Sequence, residues 1–366
     1  MHQALKAFPL ILAAVPFVLA GKNEAEPAYA RQLGGPVPNI STREDDEFAR
    51  GRRLFRWALW SPSRGMMGIN STDCSECHQE PEFGGTTKNP RLLVNMVPSE
   101  TDPSGFSVYH FFKVGQGREI IEQKPPAEAV KRRAPALYGL GLLESISLEE
   151  IAKRADPDDT NGDGISGRQI LIDGKPGRFG WKASLHDVQG MVAAAFRNEL
   201  GALPQLEDQP DFGRLGPNQI RAISHYIRLL GAPKPNESTP ETRTGRDLFE
   251  KIGCATCHVP SMVTSPDAMV PLRNKRVDAY TDLLLHDVGP GPEQKTNGKS
   301  SGPREIRTPP LWGIGKVGAP YWHDASEPSL DGAIRRHAGE ASKSAEAYKN
   351  LAEVSRKAIL AFLNGL

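Results

Sequence analysis

"CSECH" at residues 74–78 and "CATCH" at residues 254–258 are two copies of the pattern C-x-x-C-H. In this pattern both thiols bond covalently to a haem, and the adjacent histidine ligates the iron from one face. The two copies contain all 4 cysteines of the chain, so we predict two covalently bound c-type haems. The predicted attachment residues are Cys74, Cys77 and His78 for the first haem and Cys254, Cys257 and His258 for the second.

Other uses of paired cysteines fit the chain less well. A thioredoxin-type pair lies between a strand and a helix and does not need the following histidine. A zinc ribbon takes its two cysteine pairs from segments about 15–20 residues apart, whereas these pairs lie in opposite halves of a 366-residue chain. The spacing therefore favours haem over a redox disulfide or a zinc site.

The rest of the chain is a degenerate tandem repeat. Each copy has a glycine-containing segment before its haem motif, a shared R-x-P-x-L-[YW]-G-[LI]-G segment after it, and a final segment with apolar residues at helical spacing. The paired segments are "GRRLF" (51–55) and "GRDLF" (245–249), "RRAPALYGLG" (132–141) and "IRTPPLWGIG" (306–315), and "IRAISHYIRLLG" (220–231) and "SRKAILAFLNGL" (355–366).

This order of segments predicts a mainly α protein with two tandem cytochrome c-like domains and long Pro/Gly-rich loops. The N-terminal domain is predicted at residues 45–231 and contains an inserted acidic loop. A linker rich in Pro, Ser and Thr follows at 232–244, and the C-terminal domain is predicted at 245–366.

The N-terminal 20 residues have the features of a secretory signal peptide. One lysine precedes an apolar run that ends in small residues, and the run is short for a membrane span. We predict cleavage after Ala20, or as late as Ala30 in "AYA", with an uncleaved anchor as the alternative. Export to the periplasm follows, with no stable membrane span. The net charge of +1 gives no indication of nucleic-acid binding.

Several phrases resemble known families. "LLLHDVGPG" (283–291), "RTPPLWGIG" (307–315) and "YWHD" (321–324) look like the bacterial dihaem cytochrome c peroxidase superfamily. "DPDDTNGDGISGR" (156–168), "GRFGWKAS" (177–184) and "LAFLNGL" (360–366) resemble its dihaem oxidoreductase branch, also labelled peroxidase or thiol oxidoreductase. The resemblance covers most of the chain after about residue 45 and implies peroxide reduction with two unlike haems.

The two copies differ where a second axial ligand is expected. "SLEEIAKRA" (147–155) aligns with "SLDGAIRRH" (329–337), which places Ala155 opposite His337. In the superfamily this position supplies the second ligand of the C-terminal haem, usually as methionine. We therefore predict a C-terminal iron ligated by His258 and His337, with a low potential suited to electron relay. The alternative is a surface histidine at a helix C-terminus.

The N-terminal iron has no such partner, so we expect an open or weakly capped face where peroxide binds. Cleavage of an O–O bond needs a group that moves a proton. Glu150 resembles the superfamily's distal glutamate in "TLEEQ", although Ile151 replaces the glutamine, and Glu144 is the rival. Either glutamate can instead be an ordinary helix carboxylate. His110 is a candidate resting-state cap, with packing among aromatic residues as the alternative. Other aromatic residues can bridge the haems or belong to the core, namely Tyr138, Trp181 and Trp312.

The acidic loop resembles the first half of a calcium-binding loop. Asp159, Asn161 and Asp163 stand at alternate positions before Gly164, as oxygen ligands do before the sharp turn of such loops. The closing glutamate is missing, because Ile170 occupies its position. The sequence thus favours either a structural Ca²⁺ site or a plain turn rich in Asp and Asn.

These observations predict an exported dihaem c-type cytochrome oxidoreductase. The main hypothesis is reduction of peroxide, or another small oxidant, at the N-terminal haem. Electrons would reach it through the C-terminal haem from a donor cytochrome or cupredoxin. The alternatives are a non-catalytic periplasmic electron-transfer cytochrome and haem-based oxidation of another substrate.

Overall fold

The structure of the chain is a computed structural model, and it describes residues 25–57, 70–98, 106–114, 120–127, 129–200, 217–289 and 304–366. The predicted signal run lies outside these residues. The described parts are helix-rich, which confirms the predicted dominance of helices. In this part of the chain no helix has both the length and the apolar character needed to cross a membrane.

The longest helices form one pair in each repeat, Val188–Asn198 is nearly as long, and the others are shorter. They are α1 (Thr42–Phe55), α2 (Cys74–Cys77), α3 (Leu140–Glu144), α4 (Leu148–Ala152), α5 (Val188–Asn198), α6 (Pro217–Leu229), α7 (Pro240–Lys251), α8 (Ile314–Val317), α9 (Leu330–Arg336), α10 (Ser342–Asn350) and α11 (Glu353–Gly365). Turns of 3-10 helix lie at Pro90–Leu92, Cys254–Thr256 and Gly339–Ala341.

The strands are short, and within the described residues they pair with one another in antiparallel fashion. They are β1 (Val94–Pro98), β2 (Phe106–Tyr109), β3 (Phe112–Val114), β4 (Ile120–Glu122), β5 (Val130–Arg132), β6 (Leu171–Ile172), β7 (Lys175–Pro176), β8 (Met262–Val263), β9 (Arg276–Val277), β10 (Leu285–Asp287) and β11 (Glu305–Arg307). In the sheet β2-β1-β5, Met96 lies opposite Val108 on one side and Val130 on the other. Two-stranded ladders join β3 to β4, β6 to β7, β8 to β9 and β10 to β11.

The repeat is visible as two equivalent helix pairs, because α1 packs on α6 as α7 packs on α11. Each pair crosses at the glycine of its first helix. A Cβ on Gly51 would lie 2.1 Å from the carbonyl oxygen of Ala222, and a Cβ on Gly245 would lie 2.0 Å from that of Ala358. Only glycine permits backbones to approach this closely, so the glycine shared by "GRRLF" and "GRDLF" positions each pair.

The shared segment after each haem motif closes its copy in the same way. Gly139 and Gly313 both have positive φ, at 71° and 70°, a conformation that glycine adopts without steric cost. Each donates its backbone N–H to the end of the last helix of its copy, to the carbonyl of Leu230 at 2.9 Å and of Leu366 at 2.9 Å. The two copies thus share this spacing because the glycine N–H must reach the carbonyl at the end of the last helix of its copy.

Two large hydrophobic clusters and a small one at Ile170, Ala183 and Leu285 form the core of the described residues, and the largest crosses the predicted domain boundary. The largest cluster contains Phe55, Tyr138 and Tyr226 and also includes Leu284 and Trp312 from beyond the linker. The second large cluster lies among α7, α9, α10 and α11. The two copies therefore share apolar packing. The division into domains at 45–231 and 245–366 stays a prediction.

The segment before α1 packs along both halves. The backbone N–H of Ala30 donates to the carbonyl of Ala232 at 2.9 Å, and Ala28 and Ala30 are buried. The Tyr29 hydroxyl donates to the Asp278 carboxylate. This segment therefore links the end of α6 to the C-terminal half.

Candidate functional site

The C-terminal haem motif lies at the end of α7, where Cys254–Thr256 form a 3-10 turn. The His258 ring packs near Phe249, with centroids 6.3 Å apart. Its Nδ1 lies 3.0 Å from the carbonyl oxygen of Tyr280, so Nδ1–H donates and Nε2 is left for a ligand. Burial, opposed by this hydrogen bond, lowers the pKa of His258 to about 4. The ring is therefore neutral, as a metal ligand must be.

His337 has the same ring arrangement. It ends α9, and its Nδ1 lies 2.8 Å from the carbonyl oxygen of Ala333 one turn earlier. Burial lowers the pKa of the ring despite this hydrogen bond. Trp322 packs edge-on against it, with centroids 4.9 Å apart and planes at 86°. A neutral histidine with Nδ1 held by a carbonyl is the arrangement of ligating histidines generally.

Both histidines line one cavity of about 290 Å³. Cys254 and Cys257 line the same cavity, which is close to the lower end of the size range for cofactor sites. The structure thus brings together the two thiols, the motif histidine and the predicted second ligand. This donor set fits a c-type haem with two axial histidines, which the residues would hold through both sulfurs and both Nε2 atoms.

The segment that carries His337 is docked on the residues that follow β10. The Ala338 N–H donates to the Val288 carbonyl at 2.9 Å. A Cβ on Gly289, which has φ of 101°, would lie 2.3 Å from the Cβ of Ala338. The glycine in "LLLHDVGPG" is therefore needed for this close approach.

His286, in the same phrase, forms a buried ionic network rather than a ligand site. Its Nε2 lies 2.9 Å from Asp282 and its Nδ1 lies 2.7 Å from Glu340. Burial disfavours the imidazolium, but the hydrogen bonds to Asp282, Cys257 and Glu340 outweigh it and raise the pKa of His286 to about 12. Glu340 also accepts from the Asp287 N–H at 3.0 Å. The network ties β10 to the segment that follows His337.

The N-terminal motif repeats the geometry of the C-terminal one. Asp73 caps α2, which contains both cysteines. The Nδ1 of His78 lies 3.0 Å from the Gly85 carbonyl oxygen, and Phe55 packs 6.3 Å from its ring. Burial lowers the pKa of His78 to about 4 against this hydrogen bond. Phe55 and Phe249 occupy the same repeat position, so both motif histidines are supported equivalently.

Ala155 and Cys74 pack against the same hydrophobic cluster, so the residue opposite His337 in the alignment faces apolar surroundings. His110 differs from the three predicted ligands, because its Nε2 rather than its Nδ1 lies near a carbonyl, that of Asn198 at 2.8 Å. A capping role for His110 stays a prediction. His323 lines the C-terminal cavity and lies between Trp181 and Trp322.

The two candidate glutamates have different surroundings. Glu144 bonds to Arg228 through both oxygens, at 2.7 and 3.1 Å, and accepts the Val188 N–H at 2.9 Å. These contacts place it between α5 and α6 as a structural tie. Glu150 lies in the first turn of α4 and pairs with Lys153 and with Arg154. The catalytic role of each stays a prediction.

Glu199 was not singled out by the sequence. It follows α5, and burial, opposed by a hydrogen bond from Asn70, raises its pKa to about 7. Burial raises the pKa of the Cys77 thiol most, and the nearby charge of Glu199 is the next largest cause. The Asn70 N–H also donates to its carbonyl at 2.7 Å. No motif marks this residue, because its burial depends on packing against a segment that is distant in sequence.

The acidic loop is ordered by its own side chains. Asp159 accepts the Gly164 N–H at 3.0 Å, Asn161 accepts the Asp163 N–H at 2.9 Å, and Asp163 accepts the Ile165 N–H at 2.8 Å. Among the described residues, the only cluster of three or more Cys, His, Asp or Glu ligand atoms is Cys257, Asp282 and His286. Calcium binding by the loop stays a prediction.

Two of the three candidate bridging aromatics contact the other half of the chain. Trp312 lines the C-terminal cavity and packs on Gly139, where a Cβ would lie 2.6 Å from its ring. Trp181 also lines the cavity and packs near His323, with ring centroids 6.2 Å apart. Tyr138 is buried and donates to the Glu82 carbonyl at 2.7 Å. These contacts are compatible with either role.

Two C-x-x-C-H motifs with equivalently held histidines are the pattern expected of a dihaem cytochrome. Residues 218–366 match the family model described as "Di-haem oxidoreductase, putative peroxidase". The match confirms, over these residues, the family resemblance seen in the sequence. At this coarse level it supports haem cofactors and an oxidoreductase class. No curated protein is a sequence match for the chain.

Three solved structures are similar over most of both chains. Hydrazine synthase from Kuenenia stuttgartiensis has 15% identity and a TM-score of 0.47, with 100% of each chain covered. A MauG-like protein associated with microbial copper homeostasis has 18% identity and a TM-score of 0.44, with 98% of this chain and 95% of that one covered. The diheme peroxidase BthA from Burkholderia thailandensis has 14% identity and a TM-score of 0.46, with 93% and 94% covered.

Proposed function

We propose that the protein is an exported dihaem c-type cytochrome oxidoreductase that reduces peroxide at its N-terminal haem. The C-terminal haem, ligated by His258 and His337, would pass electrons from a donor cytochrome or cupredoxin. The supporting observation is the shared ring geometry of three histidines. His258 and His337 line one cavity, whereas the alignment of the two copies gives His78 no second histidine, because Ala155 aligns with His337.

The haem at Cys74 and Cys77 would supply the iron and the electrons. Reduction of hydrogen peroxide to two water molecules consumes two electrons and two protons, so the chain must provide a proton-handling group. Glu150 is the candidate from family resemblance. Glu199 is the candidate from its surroundings, because a carboxyl group whose pKa is about 7 exchanges protons readily at neutral pH.

The proposed electronic asymmetry follows from the axial ligands. A second histidine in place of methionine lowers a haem potential within a range of about 0.8 V. The His337 ring cannot easily turn away, because Ala333 and Trp322 hold it on two sides. A C-terminal iron held by both histidines would therefore suit electron relay, and substrate binding would be left to the N-terminal haem.

Export is part of the proposal. The haem motifs and the apolar run ahead of residue 20 support it. The packing of Ala28, Tyr29 and Ala30 against the C-terminal half favours cleavage after Ala20 over cleavage after Ala30, because the later site would remove these contacts. Mass spectrometry of the mature protein distinguishes the two sites.

The test is ligand binding to the purified, haem-loaded protein. Two covalent haems are expected by pyridine haemochrome assay, and the fully reduced protein should bind one carbon monoxide per chain. His337→Ala should bind two, because it vacates the C-terminal sixth position. His186→Ala is the matched control, since this half-buried histidine lies beside Asp187 and should leave the stoichiometry at one.

Peroxide consumption with a reduced cytochrome donor completes the test. Wild-type protein should consume one peroxide per two electrons. A protein that holds two haems yet binds no carbon monoxide in any redox state would contradict peroxide reduction and favour the electron-transfer alternative.

A further inference from the structure

The arginines that open the two repeated R-x-P-x-L segments converge on one haem site. Arg133 and Arg307 occupy equivalent positions in "RRAPALYGLG" and "IRTPPLWGIG", so the repeat predicts one arginine near each haem. The structure instead places both at the wall of the C-terminal cavity. Both are buried, at 8% and 7% exposure.

Neither guanidinium has a carboxylate within ion-pair distance in the described parts of the chain. Arg133 donates to the Thr86 hydroxyl and to the carbonyls of Gly318 and Pro320, and its second terminal nitrogen has no partner. Arg307 donates to the carbonyls of Gly180 and Thr308. A buried charge without a counter-charge is costly, so an anionic group is expected at this wall.

Two further buried donors at the same cavity have no partner among the residues that the structure describes. They are Nε1 of Trp322 and Nδ1 of His323. Burial, and next the nearby Arg132 guanidinium, lower the pKa of His323 to about 3, so its ring is neutral and can donate through Nδ1. Unsatisfied buried donors usually indicate a partner that the protein itself does not supply.

We propose that Arg133 and Arg307 bind the two carboxylates of the C-terminal haem, with Trp322 and His323 as additional hydrogen-bond donors. A guanidinium matches a carboxylate in shape and charge, and two arginines match the two propionate groups of one haem. This inference rests on the proposed attachment of haem at Cys254 and Cys257.

Arg133 gives the site a function beyond binding. It belongs to the N-terminal half, and its backbone N–H also donates to the His323 carbonyl at 3.2 Å. A positive charge near a haem stabilises the reduced form, which carries one positive charge less. Arg133 is therefore a positioning residue of the N-terminal half that raises the potential of the C-terminal haem.

The experiment compares haem potentials in Arg133→Gln, Arg133→Lys and Arg307→Gln by spectroelectrochemical titration of the haem-loaded protein. Each glutamine variant should lower the equilibrium constant for reduction of the C-terminal haem about tenfold, which is about 59 mV for one electron. Arg133→Lys retains the charge and should shift it less. Both variants at position 133 should leave the haem count at two.

Arg178→Gln is the matched control. Arg178 is equally buried at 7% exposure, its Nε also lacks a partner, and burial lowers its pKa to about 10 as it does that of Arg307. It does not line the cavity. Its substitution should leave both potentials unchanged.

The outcomes separate the two proposals. Wild-type protein without covalent haem at Cys254 and Cys257 contradicts the proposed function. The proposed binding of the haem carboxylates by Arg133 and Arg307 is overturned if the protein holds two haems whose potentials are unchanged in both glutamine variants. It is also overturned if Arg178→Gln shifts the potentials equally. Neither outcome contradicts the proposed function. If Arg133→Gln does not fold, Arg133→Lys and Arg307→Gln decide the question by the same measurement.

Discussion

Glu144→Gln and Glu150→Gln separate a structural carboxylate from a catalytic one. Glu144 bonds twice to Arg228 and accepts the Val188 N–H, and the two charged side chains are only 17% and 23% exposed. Glutamine keeps the shape but removes the charge. Hydrogen bonds to charged groups contribute about 1.5–3 kcal/mol, so we expect Glu144→Gln to lose about 2 kcal/mol of stability.

Glu150 should behave differently. Its partner Lys153 is 66% exposed, and Arg154 makes a single contact with the carboxylate at 3.3 Å. Ion pairs of this kind contribute about 0–1 kcal/mol. We therefore expect Glu150→Gln to change stability by less than about 1 kcal/mol. If Glu150 transfers the proton, the peroxide turnover of Glu150→Gln should nevertheless fall by about 10²-fold or more.

Thermal unfolding of the haem-loaded proteins is the assay, with peroxide turnover measured in parallel below the transition. A loss of 2 kcal/mol lowers Tm by about 4 °C on the scale of 150–250-residue proteins. An unchanged Tm in Glu144→Gln, together with lost turnover, would refute the structural assignment and make Glu144 the proton donor. Equal losses of stability in both variants would refute the difference derived from the number and geometry of the contacts.

Three further predictions concern the ligand, the acidic loop and Glu199. His337→Met should raise the C-terminal potential by about 0.2 V or more, within the ligand-tuned range of about 0.8 V, and an unchanged titration curve would remove His337 as a ligand. A calcium chelator should lower Tm and release one calcium ion if the loop residues bind it; unchanged metal content and Tm would leave a plain turn. Because burial raises the pKa of Glu199 to about 7, the folded protein keeps a proton that the unfolded chain releases near 4.5. Stability should therefore fall as pH rises from about 4.5 to about 7, and Glu199→Gln should lack this part of the slope; a slope that persists in the variant belongs to other groups.

The haem motifs and the candidate axial ligand His337 were accessible from sequence because they are local. C-x-x-C-H places its reactive groups within one turn of chain, and the alignment of the two copies marks His337 without any tertiary information. The support of the His337 ring is local, because Ala333 lies one turn away. The support of the His258 ring was not accessible from sequence, because Tyr280 lies 22 residues from His258. Only folding brings that carbonyl to the ring.

The helix periodicity, the repeat and the family phrases by themselves determined a helix-rich dihaem protein, since each is written in neighbouring residues. Tertiary packing decided what the charged side chains do. It paired Glu144 with Arg228, buried Glu199, and brought Arg133 and Arg307 from equivalent positions of the two copies to one cavity. The cause is physical: the energy of a charge depends on its burial and its partners, and these are properties of the packed chain.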